Sequence, residues 1–162
     1  MTDLIVLRDD GLSFEDGADR IRIIVSSDES GGEYSLLEWT VAAGAKLPDG
    51  ACRDYAMHLH GACEETFLIL SGELEFVIGN RIVRLGAGDF ARVPPNTPHG
   101  YQNVSGESVE MLVGFHPGGF EKLFVKYRSD QSRSPSPGFI EEATSDYASS
   151  FGLPNPLTRD RR

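Results

Sequence analysis

Cysteine is scarce in this chain. Only Cys52 and Cys63 occur among its 162 residues, too few for a disulfide framework and not spaced as a zinc ribbon, so two free thiols in a reducing compartment are expected. Cations are in deficit as well: 15 Lys and Arg against 25 Asp and Glu leave a formal charge of −10. A surface of that sign repels polyphosphate backbones and anionic membranes, which argues against nucleic acid and membrane partners and for a small molecule or another protein. Long apolar runs are also missing, and no segment approaches the roughly 20 apolar residues that a membrane helix needs. The opening MTDLIVLRDDGLSFEDG carries acidic residues within its first ten positions and no extended apolar core, unlike a secretory leader, so a cytoplasmic location is expected. Histidine, finally, occurs only four times, yet two of the four stand one residue apart, at 58 and 60.

What is present suits one soluble domain with a real core, at 40% apolar and 25% charged residues. Strand-sized runs rich in β-branched and aromatic residues recur from about residue 20 to 116: IRIIV, YSLLEWTV, YAMHLH, TFLIL, ELEFVI, RIVRL, FARV, HGYQN and VEMLVGF. Turn chemistry separates them. Gly79-Asn80 is a two-residue hairpin signal, and GAGD at 86–89 is a second turn. This pattern predicts an all-β antiparallel sandwich or barrel rather than alternating β and α units. After Pro117 the character changes, with GGFEKLFVKYR as one helical segment and Phe139, Ile140, Ala143, Tyr147 and Phe151 recurring at near-helical spacing beyond a proline-rich linker. The expected division is a barrel with N-terminal strands over 1–130 and a loop, helix and frayed basic tail over 131–162.

The stretch HLHGACEETFLILSG carries the chemistry. On a strand, side chains two apart share a face, so His58 and His60 point the same way and Leu59 opposite. GACE supplies a turn, and the next strand brings Glu65 beside the histidines, with Phe67 and Ile69 following on its face and Glu64 turned away. Two imidazoles and a carboxylate in close approach hold a divalent first-row metal and leave positions open. A fourth donor follows 34 residues later, where Pro94, Pro95 and Pro98 bracket a rigid turn that delivers His99 onto a new strand with Tyr101 and Asn103 on its face. Burying three imidazoles and a carboxylate together without a cation would cost about 1–3 kcal/mol for each unsatisfied group, which favours an ion among them. Cys63, between the histidine pair and Glu65, is a candidate lining residue; His116, before Pro117, has no such company and reads as structural or surface.

Residues 50–103 resemble the two motifs of the cupin superfamily. The first is His58-Leu59-His60, four residues, Glu65, six residues, Gly72; the second is Gly88, five residues, Pro94-Pro95-Asn96, two residues, His99, three residues, Asn103. Two positions depart from the pattern: Cys52 stands where the family commonly has glycine, and so does Asn96, although asparagine tolerates the left-handed backbone a turn requires. The resemblance implies a double-stranded β-helix, a jelly-roll barrel, with C-terminal helical segments that cover a barrel end or pack in a homodimer. It implies metal ligands His58, His60, Glu65 and His99 around one divalent ion (Fe, Mn, Ni, Co, Cu or Zn), with Glu65 also a candidate catalytic base. Phe67, Phe76, Tyr101 and Phe115 are candidate pocket residues for an aromatic or anionic substrate. Small single-domain cupins of this kind include quercetinase-like dioxygenases acting on flavonols or diketones. A metal-assisted isomerase, cyclase or lyase, and a non-catalytic binding barrel, remain the other classes.

Overall fold

The structure, a computed structural model, describes residues 5–16, 18–44 and 58–128. Among the described residues, nine strands and one helix follow in order: β1 Leu12–Asp16, β2 Asp19–Val25, β3 Ser35–Val41, β4 Glu64–Ser71, β5 Glu73–Ile78, β6 Arg81–Gly86, β7 Phe90–Val93, β8 His99–Gln102, β9 Val109–His116 and α1 Glu121–Arg128. All strand pairings are antiparallel. Six strands form one sheet in the order β1-β2-β3-β9-β4-β7, and three form a second in the order β6-β5-β8. This is the expected all-β jelly-roll barrel.

Alternation sets which side chains meet between the sheets. On β4, Glu65, Phe67 and Ile69 are buried while Leu70 is exposed; across the pairing, Phe67 stands beside Val113 of β9 and Ala91 of β7. The same inward row continues through Leu37 and Ile23 on β3 and β2. Phe67 crosses to the small sheet, with ring centroids 5.0 Å from Phe76 on β5 and 6.0 Å from Tyr101 on β8. These rings fix the spacing of the two layers, because a packed aromatic core cannot be thinned without opening a void.

Two turns show why particular residues stand where they do. Ile78 pairs with Arg81, leaving Gly79-Asn80 as a two-residue hairpin loop with Gly79 at φ +61°. Gly72, which closes the first motif, has φ +79°, and a Cβ there would sit 2.7 Å from Val109 Cγ2. Backbone sign and close packing both demand glycine.

Three features differ from the sequence expectation. LSFED forms β1, an edge strand that its mixed polarity concealed. Of YAMHLH, the described part begins at His58, which makes a single antiparallel bridge to His99 instead of a regular strand. HGYQN ends one residue early, and Asn103 is occupied by a turn, donating to the Ala42 carbonyl (2.8 Å) and the Glu107 carbonyl (2.7 Å) while its own oxygen accepts from Ser105 N–H (2.9 Å). Cys52, the linker, the periodic segment from Phe139 to Phe151 and the basic tail lie outside the described residues, and with them the homodimer packing expected of that segment. No described helix is long and apolar enough to cross a membrane.

The helix expected in GGFEKLFVKYR is α1, and it is tied to the barrel by a buried charge. Glu121, 1% exposed, accepts from the main-chain N–H of Ser27 (2.7 Å) and of Gly119 (2.8 Å). Burial would raise its carboxyl pKa, but the hydrogen bonds from Ser27 and Gly119 outweigh burial and hold it below its ordinary value. A carboxyl lowered on folding stabilises the native state above its unfolded pKa, and that contribution fades as pH falls through the folded value. Replacing Glu121 with alanine leaves two buried N–H groups unpaired, and we expect a loss of about 2 kcal/mol or more in urea melts at pH 7. The gap from wild type should narrow in melts at progressively lower pH.

Candidate metal centre

Each donor arrives by a different local device. Glu65 is the second residue of β4, placed inward by alternation while its neighbour Glu64 faces out and pairs with Arg92. His99 opens β8 and exchanges main-chain hydrogen bonds with His58, each N–H donating to the other's carbonyl at 2.9 Å. His60 is held from the second motif, where Asn96 N–H donates to its carbonyl at 2.7 Å. Asn96 has φ +61°, the left-handed conformation anticipated for it. The proline-bracketed turn therefore both delivers His99 and fastens His60.

The side chains converge on one atom. His60 Nε2 and His99 Nε2 each lie 2.8 Å from Glu65 Oε2, and His58 Nε2 lies 4.0 Å from it. One donor atom from each of the four residues falls within 4.8 Å of every other, so the group can hold a metal ion. For bonds of about 2.1 Å, adjacent donors of a six-coordinate ion are about 3.0 Å apart and opposite ones about 4.2 Å. The separations from Glu65 fall near these values. His58 is half-buried, whereas the other three are nearly sealed, at 2% for His60, 5% for Glu65 and 0% for His99.

Proton bookkeeping also favours a cation here. His99 Nδ1 is 2.9 Å from the Thr97 carbonyl, so its proton belongs on Nδ1 and its Nε2 lone pair faces an anionic oxygen that His60 already approaches. Only a positive species between them makes that arrangement favourable. Burial would depress His99, but the hydrogen bond to Glu65, the carboxylate charge and the Thr97 carbonyl together raise its pKa above the ordinary histidine value. Burial would likewise raise Glu65, and the charge of His60 with the hydrogen bonds from His60 and His99 reverses that, holding the carboxyl well below the usual range. The geometry that binds a proton so readily is the one a divalent ion uses, with the Thr97 carbonyl fixing the tautomer that leaves Nε2 free to ligate.

The aromatic expectations divide. Phe115 lies 5.7 Å from the His60 ring and Phe67 lies 6.1 Å from the His99 ring, while Phe76 and Tyr101 form the next layer against Phe67. Cys63 is buried in the core, and His116 is exposed and stacked on Tyr34 at 6.1 Å, as a surface residue. Sequence reasoning missed Trp39, 6.3 Å from Tyr101, and Phe120, whose ring sits 4.4 Å from His60. Nothing in their local spacing marks them, because Phe120 meets His60 and Trp39 backs Tyr101 only through long-range packing.

Residues 38–115 match the cupin domain family. The barrel is a cupin. This cupin is 35% identical over 59 residues to quercetin 2,3-dioxygenase of Bacillus subtilis, covering 36% of the chain and 18% of that protein. It is 29% identical over 87 residues to an uncharacterized protein of Methanocaldococcus jannaschii, covering 54% and 63%. The chain thus spans less than two thirds of the length of either curated relative. Among solved structures, a predicted oxalate decarboxylase of Thermotoga maritima superposes with TM-score 0.58 at 16% identity, covering 70% of this chain and 99% of that one. The nucleoside dehydratase Pac13 of Streptomyces superposes with TM-score 0.56 at 20% identity, covering 75% and 88%. At such identities the superpositions speak for the cupin fold alone.

Ligation makes a direct forecast. His60→Ala and His99→Ala should each cut the metal content of the purified protein at least tenfold by elemental analysis, and unchanged stoichiometry would refute the assignment. Protons compete for the same nitrogens, so metal affinity should fall as pH drops through the histidine range. Because the metal-free His99 holds its proton more tightly than an ordinary histidine, the fall should begin on the alkaline side of the ordinary value. Affinity that stays flat between pH 8 and 5 would exclude histidine ligation.

Proposed function

We propose that this cupin is a metal-dependent dioxygenase acting on a small enol, phenol or flavonol-like substrate. The observation that carries the proposal is the convergence of His58, His60 and His99 on the Glu65 carboxylate beside a wall of aromatic rings. The local identity to quercetin 2,3-dioxygenase gives that site its direction. A divalent ion held by these residues would supply Lewis acidity toward an enolate or phenolate oxygen and, in redox-active form, one-electron chemistry toward dioxygen.

The chain's own residues have separable tasks. Three neutral imidazoles and one carboxylate leave a divalent centre with a local charge near +1, which attracts an oxyanion in preference to a neutral oxygen. Glu65 serves as ligand rather than base: a carboxyl held well below its usual range is a poor proton acceptor near neutral pH. Phe67, Phe76, Tyr101 and Phe115 make the interior apolar and exclude water, so the charge at the centre acts at low dielectric. Tyr101 is only partly buried and thus the member of the group best placed to meet a planar guest.

The deciding experiment incubates the metal-loaded protein with flavonols and β-diketones in an oxygen electrode. Oxygen consumption stoichiometric with substrate loss is expected, and Glu65→Gln should lower it at least a hundredfold. Turnover that continues anaerobically would instead identify an isomerase, cyclase or lyase, and substrate recovered unchanged would identify a binding protein. Tyr101→Ala should raise KM for an aromatic substrate about tenfold while leaving metal content unaltered, since its ring packs against Trp39, Phe67 and Phe76 rather than supplying a donor atom.

A further inference from the structure

The two most deeply buried histidines are oriented by different means. His99 donates its Nδ1–H to the Thr97 carbonyl, the usual way a ligating imidazole is fixed. His60 Nδ1 has no hydrogen-bond partner among the described residues, although the ring is only 2% exposed. Aromatic rings take the place of that acceptor. Phe120 meets the His60 ring edge to face with centroids 4.4 Å apart, and Phe115 meets it in the same manner at 5.7 Å. Phe120 in turn packs 4.7 Å from Phe115 and 5.6 Å from Phe124, which stands edge-on to Trp39 at 5.4 Å.

We infer that Phe120 is a positioning residue for His60, setting the angle at which its Nε2 faces Glu65. The inference rests on the reading of His58, His60, Glu65 and His99 as metal ligands. Phe120 lies outside residues 38–115, the span matched to the cupin domain family, so the positioning comes from a segment beyond that match. That segment is itself anchored: the next residue is Glu121, whose buried carboxylate accepts from Ser27 N–H and Gly119 N–H. The orientation of one ligand is therefore transmitted from a helix start held by a buried charge. An imidazole without a partner at Nδ1 is a weaker electron donor than one bonded to a carbonyl, so His60 depends on packing for affinity where His99 does not.

The test uses the full-length protein loaded with Co(II), whose visible spectrum reports ligand geometry, and compares Phe120→Leu and Phe120→Met with Phe124→Leu. All three remove a ring from the same cluster, but only Phe120 touches His60. The Phe120 variants should bind Co(II) about tenfold more weakly with altered visible bands, whereas Phe124→Leu should melt earlier yet keep wild-type affinity and spectrum. In the metal-free protein, the ring C–H resonances of His60, assigned with His60→Gln, should shift and broaden in the Phe120 variants while those of His99 stay put. Wild-type affinity and bands in both Phe120 variants would overturn the inference. Should the wild type take up no Co(II), the metal reading itself fails, and the His60 resonances alone decide: unchanged signals without Phe120 overturn the positioning role.

Discussion

One carboxylate oxygen organises the interior of this barrel. Glu65 Oε2 receives two histidine nitrogens at 2.8 Å in a region from which water is excluded. A buried anion is tolerated only when its surroundings return what hydration gave it. The surroundings do so from two separate stretches of chain, the His58–His60 segment and the start of β8. The local chain geometry around the site follows from that requirement. The Asn96 turn, the His58–His99 bridge and the Thr97 carbonyl each remove a freedom that would let an imidazole turn away.

Much of this was legible in the sequence because it depends on local rules. Period-two alternation placed Glu65, Phe67 and Ile69 on one face and Glu64 on the other; Gly79-Asn80 announced its hairpin; Asn96 adopts the left-handed turn for which its side chain is suited. The His-x-His spacing worked for a less direct reason. His60 is not in a strand, yet the Asn96 contact holds it where a strand would have put it. What was illegible depends on residues distant in sequence. β1 exists because β2 offers it an edge, not because LSFED alternates strongly. Asn103 looked like a neighbour of His99 by parity, but the demands of its own turn claimed it. Phe120 reaches the centre, and Trp39 backs Tyr101, only after sheet and helix have packed.

The comparisons and the geometry answer different questions. The family match and the superpositions establish the cupin barrel, whose known members named here span a dioxygenase, a predicted decarboxylase and a nucleoside dehydratase. That breadth is expected of a fold that supplies a rigid, dry chamber and leaves the chemistry to the groups projecting into it. The features of this chain that bear on its chemistry are accordingly those around the donors: the aromatic lining, and a helix whose first turn is locked by Glu121.

The division of the strands into unequal sheets gives Glu65 a second part to play. It rises from the six-stranded layer, whereas His99 rises from the three-stranded one, so their contact is a rivet through the sandwich at the edge of its aromatic filling. Whatever loosens that rivet lets the two leaves breathe against each other. In this barrel the chemistry and the mechanical integrity of the fold are vested in the same bond.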